Sequence, residues 1–159
     1  MNIVPTNTLP ENKLTEFFTL HWGSPKMVIS TGIFDCSTLD GFAILNGENE
    51  IIGLITYVME KKECEIISLD SLEEGKGIGS ALLQEVERAA ILNKCERVKL
   101  ITTNDNLPAL KFYQKRGFDL VKIHKNAVQR AREIKPSIPL IGKDGIPLKD
   151  EIELEKEFR

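Results

Sequence analysis

The sequence predicts a mixed α/β domain, and three features carry that expectation. Three apolar, strand-like runs, Gly41–Leu45, Ile51–Met59 and Glu63–Leu69, follow one another closely. Their connections are too short for anything but antiparallel returns. A glycine-rich stretch, Glu74-Gly75-Lys76-Gly77-Ile78-Gly79, then leads into a run with helical spacing and another strand. That is a β-α-β crossover, expected to be parallel and right-handed. The chain closes on Asp150–Phe158, whose clean alternation reads as one more strand. A meander, one crossover and a closing strand pair make the order mixed.

Taken in order, residues 1–10 read as an extended lead-in punctuated by Pro5 and Pro10. Glu11 to Trp22 is helical, with Leu14, Phe17, Phe18 and Trp22 on one stripe and Gly23 and Pro25 ending it. Residues 27–30 form a short strand. Asn46-Gly47 opens the first hairpin connection, and Glu60-Lys61-Lys62 makes the second. Beyond the glycines, Leu82, Val86, Ala89 and Ala90 recur at helical spacing, and Arg97–Thr102 is a strand. Asn106-Leu107-Pro108 starts another helix, since Asn is a favoured N-cap and Pro is tolerated in the first turn. Gly117 stops it, and Phe118–His124 is a strand. Lys125–Lys135 is a short helix cut off by Pro136, and residues 136–147, with three prolines and two glycines, are a loop. In the last strand Ile152, Leu154 and Phe158 are expected inward, and Glu151, Glu153, Glu155 and Glu157 outward.

At 159 residues the chain is long enough to bury the core of one domain, taken as 1–159. Hydrophobic content of 42% and charged content of 28% are ordinary for a soluble globular protein. A net charge of −3 with acids and bases interspersed argues against a nucleic-acid or membrane surface. No stretch approaches the roughly 20 apolar residues of a membrane span, and the N-terminus does not read as a signal peptide. Cys36, Cys64 and Cys95 are odd in number and widely spaced, which fits reduced thiols in the cytoplasm. His21 and His124 lack ligand spacing with Cys or acids, so no metal is expected.

Glycines at 75, 77 and 79 allow a loop to wrap closely around a ligand. The helix that follows offers unpaired amides and the positive end of its dipole, a setting for phosphate-like anions. The stretch is not a P-loop, because no lysine stands directly before Ser80. As a dinucleotide fingerprint it is weak, because it follows a meander instead of opening a β-α-β-α-β half.

A second motif decides between these readings. Asn106-Leu107-Pro108-Ala109-Leu110-Lys111-Phe112-Tyr113-Gln114-Lys115-Arg116-Gly117-Phe118 matches N-x-x-A-x-x-F-Y-x-x-x-G-F. Together with Glu74–Gly79 in the place of (Q/R)-x-x-G-x-G/A, it resembles the GNAT superfamily of N-acetyltransferases. The resemblance is sharpest over residues 63–118, with 125–147 as an insert before the closing strand 150–158. It implies a central, mostly antiparallel sheet with one parallel, splayed strand pair and helices on both faces.

It also implies acetyl-CoA as co-substrate and a small-molecule or peptide amine as acceptor. Backbone groups of Leu69, Asp70 and Ser71 would pair with the pantetheine arm. The loop Gly75, Lys76, Gly77, Ile78, Gly79 and Ser80 would hold the pyrophosphate. Asn106 matches the position that contacts the arm, and Tyr113 the usual general acid. Glu74 departs from the family's Arg or Gln, and an acid beside a pyrophosphate opposes binding.

The chemistry has its own demands. An attacking amine must be neutral, so a base must take its proton. An oxyanion needs amide donors such as that of Leu69, and a departing thiolate needs a proton, which Tyr113 retains at neutral pH. Glu63 and Glu65 are the candidate bases, because side chains alternate along a strand and both share the face of Leu69. Glu63 also matches the catalytic glutamate of some histone-acetylating members. Arg130, Arg132, Lys135 and Lys143 make the insert basic, either as a solvated helix face or as a selector of anionic acceptors. The last strand, Ile152–Phe158, apolar and alternating, could help form a homodimer. The alternative class is an acyl-CoA-binding sensor without transfer, and a third is a nucleotide-binding protein.

Overall fold

A computed structural model describes residues 1–158. The elements are β1 (Asn2–Pro5), α1 (Glu11–Trp22), β2 (Lys26–Ile29), β3 (Gly32–Asp35), β4 (Asp40–Leu45), β5 (Ile51–Glu60) and β6 (Glu63–Ser71). They continue as α2 (Ile78–Leu92), β7 (Arg97–Thr103), α3 (Leu107–Gln114), β8 (Asp119–His124), α4 (Ala127–Ile134) and β9 (Glu151–Glu157). The chain divides into two compact units. One holds Met1–Met27, Phe34–Val98 and Phe158; the other holds Val28–Ile33 and Lys99–Glu157.

In the first unit β1, β4, β5 and β6 form the antiparallel meander, with Val4 opposite Ala43, Ala43 opposite Leu54, and Leu54 opposite Asp70. Lys61 and Lys62 make the tight β5–β6 turn with φ of 50° and 66°, the left-handed geometry that matches strand twist. Asn46 organises the other turn by accepting from the amides of Glu48 and Glu50. α1 buries Leu14, Phe17 and Phe18 and ends at Gly23, whose φ of 86° suits a glycine. α2 buries Ile78, Leu82, Leu83, Val86 and Ala90. Each of the larger aliphatic side chains contributes about 1.5–3 kcal/mol by leaving water. β7 begins beside the beginning of β6: the Glu96 amide donates to the Lys62 carbonyl at 2.7 Å, and Arg97 pairs with Glu63 at 2.9 Å. Strands that start side by side run parallel, as the crossover requires.

In the second unit β9 lies between the rest of β7 and β8, with Ile123 opposite Ile152. The closing strand therefore lies inside the sheet, and the outer strand is β8. Leu154 is fully buried, as its alternation predicts, but so is Glu151, which was expected outward. Its carboxylate accepts the Ser30 amide at 3.0 Å, and a paired buried acid is tolerated where a lone one is not. α3 is capped by Asn106, and Gly117 follows it with φ of 92°.

The insert is a built structure. Arg132 donates to the carbonyls of Ile138, Pro139 and Leu148 at 2.8–3.0 Å. Asn104 accepts from the amides of Lys149 and Asp150 and donates to the Pro147 carbonyl. Arg130 donates to the Lys125 carbonyl. The two arginines thus brace backbone, a use that neither sequence reading anticipated. β1 and β3, short and without a periodic signal, were also not expected.

Candidate functional site

β6 runs out at Ser71, and the glycine loop turns the chain into α2. Gly75 and Gly77 have φ of 75° and 71°, and Gly77 is the N-cap. No side chain caps this helix, and Ala81 donates to the Gly77 carbonyl at 3.0 Å. The amides of Ile78 and Gly79, in the first turn, have no carbonyl four residues back within the helix. A Cβ at Gly75 would meet nothing within 4 Å, and at Gly77 only Met1 Cε at 4.0 Å. An open glycine loop at a helix start fits a diphosphate. Lys76 pairs with Glu73 at 2.8 Å; that bond, then the charge, pushes the lysine pKa up. Glu74 is exposed.

The strand before the loop carries a feature the sequence did not announce. Ser68 pairs with Thr56 and Ile66 with Tyr57, so Ile67 is an extra residue, a β-bulge. A bulge breaks alternation and re-aims the residues beyond it. Leu69 lies opposite Ile55, whereas Glu63, Glu65, Ser68 and Asp70 lie opposite Glu60, Val58, Thr56 and Leu54. Cross-strand partners share a face, so Glu63 and Glu65 are on the face of Asp70 and not, as expected, on that of Leu69. Glu63 is also six positions from Leu69, about 20 Å along a strand, and its carboxylate is paired with Arg97.

Asp70 stands differently. Its Oδ1 accepts the Trp22 indole N–H at 2.9 Å, and its Oδ2 is buried without a hydrogen-bond partner. Burial pushes its pKa up, against the lowering effects of the Trp22 bond and of His21. On the same face Thr56 and Ser68 share a buried hydroxyl pair at 2.5 Å.

The remaining sequence-predicted residues belong to the second unit. The Asn106 Oδ1 accepts from the Ala109 amide and from Lys143 Nζ, both at 3.3 Å. Its amide NH2 is thereby turned away from the helix end. Tyr113 is 5% exposed and packs edge-on against Phe112 and Phe118 at 5.1 and 5.3 Å between centroids. Asp105, also buried, accepts from Thr103 Oγ1 and from the Lys143 amide, holding the insert against the α3 cap. Among the described residues no group of His, Cys, Asp or Glu could hold a metal ion, and no helix is long and apolar enough to cross a membrane.

The bulged strand β6 runs into a glycine loop that opens α2, a setting suited to an anion such as a diphosphate. The profile of the acetyltransferase (GNAT) family matches residues 11–118, and the chain belongs to that family. Two proteins of Bacillus subtilis (strain 168) are similar along almost their whole lengths. The uncharacterized protein YxbD is 54% identical over 159 residues, 100% of both chains. The uncharacterized protein YdhI is 55% identical over 152 residues, 96% of this chain and 95% of that one. A GNAT family acetyltransferase from Elizabethkingia anophelis, with acetyl-CoA bound, is 26% identical with a TM-score of 0.66. That likeness covers 77% of this chain and 78% of that one. The mixed fold with its mostly antiparallel sheet, the family and acetyl-CoA as co-substrate are as the two motifs implied.

Proposed function

We propose that this protein is a cytoplasmic, single-domain N-acetyltransferase that moves the acetyl group of acetyl-CoA to a primary amine by direct attack in a ternary complex. The observation that carries the reading is the loop 75–80, where Gly75 and Gly77 are left-handed and a Cβ at Gly75 would meet nothing within 4 Å, at the start of a helix that no side chain caps. In this reading the amides of that loop hold the diphosphate, the backbone of Leu69–Ser71 pairs with the pantetheine arm, and Asn106 donates to it. The thioester supplies an activated acyl carbon, and the Leu69 amide stabilises the oxyanion formed there. Tyr113 returns a proton to the departing thiolate, and a carboxylate on the face of Glu63, Glu65 and Asp70 receives the amine's proton.

Isothermal titration with CoA and with acetyl-CoA tests the first half, and well-folded protein that binds neither would overturn it. Tyr113→Phe tests the second. Its kcat should fall by about 10²–10⁴ while CoA affinity holds within twofold; an unchanged kcat removes Tyr113 from the mechanism. Thiol release with a panel of small amines and peptide N-termini identifies the acceptor class.

A further inference from the structure

Three carboxyl groups share one face of β6, and they differ in what occupies them. Glu63 sits at the closed beginning of the strand, paired with Arg97 at 2.9 Å. Glu65 is two residues further on, still before the bulge at Ile67. Asp70 is the one beside Leu69, at the end that leads into the glycine loop. It is also the one with a buried oxygen that has no hydrogen-bond partner, Oδ2, while Oδ1 is fixed by the Trp22 indole at 2.9 Å. Buried polar atoms in folded proteins are nearly all satisfied, so an orphan oxygen on a fixed carboxyl calls for a role.

We propose that Asp70 is a catalytic residue of this site: its Oδ2 takes the proton from the acceptor amine. This rests on the acetyltransferase reading above and deepens it.

The step balances without any further reagent. An alkylammonium gives one proton to the Asp70 carboxylate and becomes the neutral amine. The nitrogen lone pair then forms the N–C bond to the acyl carbon, and the C–S bond breaks with its electron pair leaving on sulfur. The nitrogen loses its second proton to water as the amide forms, and the thiolate gains one from Tyr113, which water reprotonates in turn. Asp70 finally releases its proton to water.

The surroundings suit the task. Burial raises the affinity of the carboxyl for a proton, which brings it closer to neutral pH, as a general base requires. His21, on the preceding residue of α1, acts in the opposite sense, and the facing positions on β5, Gly53 and Leu54, carry no charge. Trp22 fixes the carboxyl through one oxygen only, so orientation and basicity are divided between the two. Oδ2 is covered by protein, so the amine can reach it only after that cover opens.

Trp22 is the chain's one tryptophan, so its indole signal reports on Asp70 directly. In the full-length protein the Trp22 N–H resonance should titrate with a midpoint above the ordinary aspartate value of about 3.9. The titration should vanish in Asp70→Asn, which keeps an oxygen for the indole. A midpoint at or below the ordinary value overturns the proposal.

Rates separate a base from a strut. With acetyl-CoA as donor, thiol release is followed with spermidine as the amine and with water alone as nucleophile. Asp70→Asn should lose about 10²–10⁴-fold in kcat/KM at pH 7. With spermidine the deficit should narrow as rising pH deprotonates the amine unaided. Trp22→Phe, which removes the indole bond and leaves the carboxyl, should lose less than about tenfold. Equal losses in the two variants, or an unaffected Asp70→Asn, refute a proton-accepting role. CoA titration of the same samples keeps the two readings apart. Normal CoA affinity with a full rate in Asp70→Asn sinks only the role of Asp70, whereas no CoA affinity in the unaltered protein sinks the acetyltransferase reading and this role with it.

Discussion

Replacing Gly53 by alanine tests whether the start of α2 is set by its contact with β5. A Cβ at Gly53 would lie 2.4 Å from Ile78 Cγ2 and 3.2 Å from Leu82 Cδ1. The first distance is roughly 1 Å short of ordinary carbon contact. Ile78 is the first residue of α2, is 2% exposed, and branches at Cβ, so it cannot swing aside. Overpacking of this kind costs about 1–3 kcal/mol. At about 2–4 °C per kcal/mol for a chain of this size, Tm should fall by about 2–12 °C. Because relief comes most easily by moving the first turn of α2, the amides of residues 78–80 should shift too, and CoA affinity should weaken severalfold. Calorimetry for Tm and titration with CoA measure both. Ile78→Ala alone should cost about 2–5 kcal/mol as a cavity, but in the Gly53→Ala background it should cost less, because the new methyl occupies part of the space. Strict additivity of the two changes, or a Gly53→Ala protein with unaltered Tm and CoA affinity, would refute the reasoning.

Four further outcomes are expected. Glu74→Gln removes an exposed negative charge from the loop and should tighten CoA binding about twofold to fivefold at low salt, the gain shrinking as salt is added. Burial, with help from Cys95 and Glu65, raises the Cys64 pKa to about 12, and Cys36 and Cys64 are 0% exposed. Iodoacetamide at pH 8 should therefore leave both intact in native protein and react slowly with Cys95, as mass spectrometry of peptides would reveal. Asp70 has a raised pKa, so the folded state holds its proton more tightly than the unfolded chain does. Its contribution to stability is favourable in acid and is lost as pH rises through that pKa, so Asp70→Asn should gain Tm over the unaltered protein at pH 7 and not at pH 3. Arg132→Ala frees three carbonyls of the insert and should cost about 2–3 kcal/mol; limited proteolysis should then cut within residues 136–149 far faster than before.

Much of the candidate site's local geometry was legible in the primary structure because it depends on backbone conformations that particular residues permit. Gly75 and Gly77 adopt the left-handed conformations their type allows. Asn106 caps α3 through its side chain, and Gly117 ends that helix, as cap chemistry dictates. The meander was legible because the Lys61-Lys62 connection leaves no room for another topology. The faces of β6 were not legible. Alternation assumes an unbroken ladder, and the extra residue at Ile67 leaves no mark in composition, since isoleucine suits a strand and a bulge alike.

What the chain determined alone is local: where the longer strands and the helices lie, which glycines can turn left-handed, and which two motifs point to acetyl-CoA. Tertiary structure decided which side chains meet. It pairs Glu63 with Arg97, uses Arg132 to brace carbonyls, buries Glu151 on the Ser30 amide, and leaves one oxygen of Asp70 without a partner. The reason is that a side chain's charge state and freedom depend on neighbours distant in sequence. No window of residues around Asp70 contains Trp22, which lies 48 positions away.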